Sequence, residues 1–207
     1  IIVGGDEETS SRGLKKYCKE QKLPVCSLVP DADFPLINSE KGILHLSFTT
    51  RIQPSYGIKR LEGGQRANMV PDYCVITLDK RGEALLAIGN IYDAIQRRGL
   101  DKNQFKVTQT DDSVTIEAFG KAGHGSQPET GDNAIAKIFR LLVPLIEFDK
   151  LDKFITGPAA RSNLDLDISD EAGDLTMNAG IVSLDGNILN IVMDFRLPLC
   201  VKPDRVQ

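Results

Sequence analysis

The chain has 207 residues, 41% of them hydrophobic, with a formal net charge of −4 at pH 7. This is the composition of a folded globular protein with one large domain or two small ones, and it argues against disorder. Basic residues are scattered rather than striped with aromatic residues, so we expect no nucleic-acid partner. No apolar run approaches the roughly 20 residues of a bilayer helix, and no signal peptide is recognisable, so we expect a cytoplasmic protein without membrane contact.

The first segment alternates between strand and helix patterns. Residues 1–4 are apolar, Ser10 or Ser11 can cap a helix that reaches about Gln21, and residues 24–29 are apolar again. This order predicts a βαβ unit and therefore a parallel sheet. The pattern changes near residues 38–44, so we expect one domain at 1–44 and a second at 45–207.

The second segment is predicted to fold as antiparallel hairpins with two helices. Strands are expected at 42–52, 71–78, 105–109, 114–120, 175–184 and 188–198, helices at 82–98 and 133–148, and a long loop at 149–174. Two helices against one antiparallel sheet make an α+β fold that resembles a ferredoxin-like unit. The cysteines Cys18, Cys26, Cys74 and Cys200 lie inside apolar segments without C-x-x-C spacing, which favours reduced core thiols.

Acidic residues follow both apolar segments of the first domain. Glu7 and Glu8 point to opposite faces of an extended segment, so one could bind a metal while the other faces its bound water. Asp31 follows the next segment, and the carboxyl ends of parallel strands meet at one edge of a sheet. The acids could equally cap a helix, and Asp31 could form an Asx turn, so the residues alone leave both interpretations open.

The two histidines of the chain receive different interpretations. His124 lies between two glycines, where little packing surrounds it. This is typical either of a residue on a moving element that reaches a substrate oxygen or metal, or of a solvated turn histidine. His45 lies in the middle of a predicted strand and is interpreted as a residue on the polar face of that strand.

Two further polar residues are candidates for substrate binding. Arg196 ends the last predicted strand, where its guanidinium could bind a carboxylate at two points or simply lie at the surface. Asn68 could offer its amide to a substrate carbonyl or make a turn. Neither residue decides a function by itself.

Six motifs carry a resemblance that covers nearly the whole chain: G-D-E-E-T-S, P-D-A-D-F-P, A-N-M-V-P, A-G-H-G-S-Q-P, L-T-M-N-A-G and F-R-L-P. In this order they resemble the dinuclear zinc peptidases that include carnosinases, peptidase T, succinyl-diaminopimelate desuccinylase and, as the closest likeness, bacterial Xaa-His dipeptidases. The resemblance implies a metal-dependent dipeptidase acting on short peptides with a free C-terminal carboxylate. It implies two divalent metal ions, with zinc expected and manganese or cobalt as alternatives.

The resemblance also implies a role for each matching residue. Glu7 matches the general base, and Glu8 and Asp31 match zinc ligands. The lid histidine that polarises the scissile carbonyl matches His124. The substrate-binding residues match Asn68 and Arg196, with Arg196 on the C-terminal carboxylate.

Departures from the family pattern limit what the chain can do by itself. Such enzymes also need an upstream H-x-D motif, a bridging aspartate and a late histidine ligand, and this sequence has none of these at matching positions. We therefore expect an inactive internal piece of a longer enzyme, with a βαβ part of the α/β catalytic domain at 1–44 and a lid of the dimerisation type at 45–207. This lid is longer than the compact lids through which relatives dimerise, so a monomer is expected rather than a homodimer.

Two other functions stay open at this point. The chain could be a non-catalytic α+β module used for dimerisation, because the remaining metal ligands are absent. It could also come from an amidohydrolase of N-acyl amino acids, which would use the same machinery on another substrate.

Overall fold

The computed structural model describes residues 1–4, 11–29, 37–155, 161–162 and 164–206. Contacts within the chain divide it into two units, residues 1–38 and residues 39–207. Glu7, Glu8 and Asp31 lie outside the described residues. In the described part, no helix is long and apolar enough to cross a membrane.

The first unit contains the predicted helix but not the predicted strands. Helix α1 spans Arg12–Glu20 and begins after Ser11. Residues 1–4 and 22–29 have no strand structure, and Val3 and Val25 are fully exposed. A parallel strand is stable only within a sheet that is covered on both faces, and these segments have no neighbouring strand among the described residues. The βαβ prediction is therefore not met there.

The second unit is an α+β fold built on antiparallel strands. The strands are β1 (Gly42–Arg51), β2 (Ile58–Gly63), β3 (Met69–Val70), β4 (Tyr73–Asp79), β5 (Phe105–Gln109), β6 (Ser113–Phe119), β7 (Gly123–His124), β8 (Ser169–Asp170), β9 (Gly173–Asp174), β10 (Thr176–Asp185) and β11 (Ile188–Leu197). The helices are α2 (Glu83–Ile88), α3 (Ile91–Arg97), α4 (Ala134–Leu142) and α5 (Ile146–Ile155). Strand β1 begins at Gly42 and therefore runs through the proposed domain division at 44/45. That division remains a prediction.

Seven strands form the main sheet, in the order β1, β11, β10, β2, β4, β6, β5, and all neighbours are antiparallel. Helix α4 packs on β4, β6 and β10. Its fully buried side chains Ile135, Ile138 and Phe139 belong to the hydrophobic core. The ferredoxin-like arrangement expected for the lid is therefore present, with one antiparallel sheet covered by helices.

Both helices predicted in the lid are divided in two. Gly89 adopts φ 70°, which ends α2, and the Asn90 side chain then caps α3 by accepting from the Asp93 backbone N–H. Pro144 separates α4 from α5, because it lacks the N–H that a continuous helix requires. In both cases a local cap or breaker overrides the long apolar periodicity.

The cysteines are free, but most of them do not belong to the core. Cys74 is buried in β4, and burial raises the pKa of its thiol to about 12. Cys18, Cys26 and Cys200 are exposed. The prediction of four core thiols is therefore wrong for these three. Cys18 is exposed because helix α1, which carries it, has no buried residue.

Candidate functional site

A short ribbon joins Asn68 to His124. Strands β3 and β7 pair antiparallel, with Met69 opposite His124 and Val70 opposite Gly123. The Gly125 N–H extends this ribbon by donating to the Asn68 carbonyl at 2.7 Å. Asn68 and His124, far apart in sequence, therefore lie side by side.

Asn178 on β10 fixes the backbone on both sides of Asn68. Its Nδ2 donates to the carbonyls of Ala67 at 3.2 Å and Met69 at 2.8 Å. Its Oδ1 accepts from Asn133 Nδ2 at 3.1 Å, and Asn133 also caps helix α4. Asn178 is only 3% exposed, so these bonds replace water that it cannot reach. The residue lies in the L-T-M-N-A-G motif, but no sequence pattern points to this bracing role.

The hydrogen bonds of His124 define its tautomer. The backbone N–H of Ser126 donates to Nδ1 at 3.2 Å, and Ser126 Oγ lies 2.7 Å from the same nitrogen. A backbone N–H can only donate, so Nδ1 is an acceptor and the proton of the neutral ring is on Nε2. The side chain is exposed, so Nε2–H is available to an oxygen of a ligand.

Arg196 is linked to the ribbon of Asn68 and His124 through the buried carboxylate of Asp194. Its Nε donates to Asp194 Oδ2 at 3.0 Å, and Asp194 is 0% exposed. A Cβ on Gly125 would overlap both Asp194 Oδ2 and the Asn68 carbonyl oxygen, so the carboxylate lies directly against the turn that carries His124. The structure thus brings together Asn68, His124 and Arg196, three of the residues selected from sequence.

The guanidinium of Arg196 is only partly engaged. Among the described residues, its two terminal nitrogens have no hydrogen-bond partner, whereas Nε is held by Asp194. The residue as a whole is 9% exposed. A guanidinium in this state can offer two parallel N–H donors to a carboxylate.

His45 has a more specific environment than a polar strand face. Its Nε2 lies 2.9 Å from Asp194 Oδ1, and 47% of its side chain is exposed. The ring is not oriented for a hydrogen bond, so Oδ1 has no such partner in the described part of the chain, although the separation is that of an ion pair. Strand register places His45 opposite Asp194, and this contact adds to its exposed position on the strand.

The described residues do not form a metal centre. They contain no group of three or more His, Cys, Asp or Glu side chains that could hold a metal ion. The expected ligands Glu8 and Asp31 and the expected base Glu7 lie outside the described residues.

A cleft of about 950 Å³ lies next to the ribbon. Ser126, Asn133 and Asn178 line one side of it, but Asn68, His124 and Arg196 do not line it. The cleft therefore borders the site without containing its candidate ligand-binding groups.

Comparison with known proteins agrees with the class that fold and motifs indicate. Residues 112–192 match the family model described as "Peptidase dimerisation domain". This match to a domain of peptidases agrees with the α+β lid and with the resemblance that the ordered motifs carry.

Individual relatives carry dipeptidase names. The chain is 33% identical over 206 residues to "Putative dipeptidase" of Staphylococcus epidermidis, and the alignment covers 89% of this chain and 42% of the relative. It is 29% identical over 195 residues to "Putative dipeptidase YtjP" of Bacillus subtilis, covering 87% and 41%. A Staphylococcus aureus relative, "Putative dipeptidase MW1694", is 31% identical over 209 residues, covering 89% and 42%. The chain thus spans less than half the length of these relatives.

Proposed function

We propose that this chain supplies the substrate-binding lid, and a part of the catalytic domain, of a metal-dependent dipeptidase. The observation that carries the proposal is the convergence of Arg196, Asn68 and the His124 turn on the buried Asp194 carboxylate. Similarity to proteins named as dipeptidases supports the same reaction class.

Each of the three lid residues binds a different group of the substrate. The two free donors of Arg196 take the C-terminal carboxylate of a peptide, and the buried setting strengthens this ion pair. The Nε2–H of His124 donates to the scissile carbonyl as negative charge develops on its oxygen. Asn68, held between two braced carbonyls, offers its amide to the peptide.

The catalytic half of the proposal rests on the resemblance. Glu7 is the general base, Glu8 and Asp31 are metal ligands, and the expected metal is zinc, with manganese or cobalt as alternatives. When bound, the metal ions would lower the pKa of the attacking water.

The role of the base has its own test in the intact enzyme. Glu7→Gln should abolish hydrolysis while the metal content, measured by elemental analysis, stays unchanged, because the amide cannot take a proton. Unchanged activity in this variant would remove Glu7 from the role of base.

The bond from Ser126 to His124 should affect turnover. Ser126→Ala removes the hydroxyl beside Nδ1 but keeps the backbone donor, so we expect kcat of the intact enzyme to fall about three- to tenfold, the value of one hydrogen bond. The control is Thr130→Ala, which removes a hydroxyl bond to the Gln127 carbonyl in the same loop rather than a bond to His124. Equal kcat values for the two variants would contradict the proposed orientation of the ring.

A substrate panel tests the reaction class. The intact protein, loaded with zinc or manganese, is given a dipeptide, the same dipeptide as its C-terminal amide, and an N-acyl amino acid. We expect hydrolysis of the dipeptide, much slower hydrolysis of the amide, and loss of activity with a chelator. Preference for the N-acyl amino acid would favour the amidohydrolase, and no turnover of any substrate would favour a non-catalytic interaction module.

We further propose that the enzyme is a monomer in which His124 serves its own active site. The length of the lid supports this arrangement. Light scattering after size-exclusion chromatography of the intact protein distinguishes it from a homodimer, which the name of the matching domain would suggest.

A further inference from the structure

Three strands place a row of polar side chains across the sheet at Asp194. His45 on β1 and Asn178 on β10 are its direct cross-strand partners on the two sides. Asp194 is 0% exposed, and a carboxylate without water is costly unless cations or donors compensate it. The groups that surround the Asp194 carboxylate therefore indicate its role.

Asp194 contacts a different element with each side of its carboxylate. Oδ2 accepts from Arg196 Nε and lies against Gly125, the residue after His124. Oδ1 lies 2.9 Å from His45 Nε2. The carboxylate thus lies between Arg196 and the His124 turn on one side and His45 on the other.

The way in which Arg196 is held matters for recognition. Asp194 engages the inner nitrogen, Nε, and leaves both terminal nitrogens without a partner in the described part of the structure. A long arginine side chain that is free to rotate loses conformational entropy when it binds, and a side chain fixed in advance avoids this loss. The contact also keeps a nearly buried positive charge compensated when no ligand is present.

We propose that Asp194 is a positioning residue that fixes the guanidinium of Arg196 for a substrate carboxylate, and that His45 holds Asp194 from the opposite side. The inference rests on the proposed dipeptidase function. Neither residue contacts the peptide. Asp194 acts through Arg196, and His45 acts through Asp194.

The test compares a dipeptide with its C-terminal amide as substrates of the intact enzyme. Asp194→Asn keeps an acceptor for Arg196 Nε but removes the negative charge, so it should lower kcat/KM for the dipeptide about tenfold and far less for the amide. In an Arg196→Ala background, Asp194→Asn should not change the ratio between the two substrates any further.

His45→Ala is the second variant. About half of the His45 side chain is exposed, so we expect the variant to fold. We expect a three- to tenfold loss for the dipeptide, the value of one weak polar contact, and a smaller loss for the amide. The matched control is Thr49→Ala, which removes the Thr49–Asn190 hydrogen bond between the same two strands on the same face.

The outcomes separate the inference from the function on which it rests. A wild-type enzyme that cleaves the dipeptide, with a selective loss in the Asp194 and His45 variants, supports both. Equal losses for dipeptide and amide, or a His45 variant that behaves like the Thr49 control, overturn the positioning role and leave the dipeptidase intact. A wild-type protein that cleaves no dipeptide overturns the proposed function and the inference together.

Discussion

Replacing Arg196 with alanine should lower kcat/KM of the intact enzyme for dipeptides by about 30- to 4,000-fold. Loss of a buried charge partner costs about 2–5 kcal/mol, and each 1.4 kcal/mol corresponds to a tenfold change. The dipeptide amide has no carboxylate to lose, so its already slow hydrolysis should change little. Steady-state kinetics with both substrates measure the difference.

Arg196→Lys is the control for this prediction. The alanine variant also removes the partner of the buried Asp194, which destabilises the fold. Lysine keeps the positive charge but not the planar pair of donors, so it should retain the fold and recover only part of the activity. A lysine variant with full activity would show that two-point recognition of the carboxylate is not used.

Replacing His124 with alanine should lower kcat about 10²- to 10³-fold, the usual effect of removing one donor to a developing oxyanion. KM should change little, because the bond strengthens only in the transition state. The side chain is exposed and, within the described ranges, its ring bonds only to Ser126, so the melting temperature should stay near that of the wild type. Kinetics and thermal denaturation of the same preparation check both statements.

His124→Gln refines this test. A glutamine amide retains a donor of similar reach, so it should recover part of the lost kcat. A kcat that does not change in either variant would exclude His124 from the reaction and leave it as a turn residue.

The hairpins were the most predictable part of the fold. Strands β10 and β11 alternate in hydrophobicity around Asp185-Gly186-Asn187, a strong turn signal. Strand β2 was missed, although it is in the middle of the sheet, because only Leu61 and Gly63 of its residues are buried and no alternation is visible. Strands β3 and β7 have two residues each, and only their pairing across the fold defines them.

The residues of the site also divide into those that the sequence predicts and those that it does not. Asn68, His124 and Arg196 could be selected because each lies in a short motif whose chemistry is local. The supporting residues could not, since their function depends on strand register. His45 gains its contact with Asp194 only because β1 pairs with β11, and Asn178 braces Ala67 and Met69 only where their loop crosses β10.

The most direct test of the central claim is a crystal structure of the intact enzyme with a dipeptide analogue that is not cleaved. We expect the carboxylate of the analogue to lie about 2.7–2.9 Å from the terminal nitrogens of Arg196, and its scissile group to face Nε2 of His124. A carboxylate bound elsewhere, with Arg196 still in contact only with Asp194, would contradict the assignment of this face as the substrate-binding site.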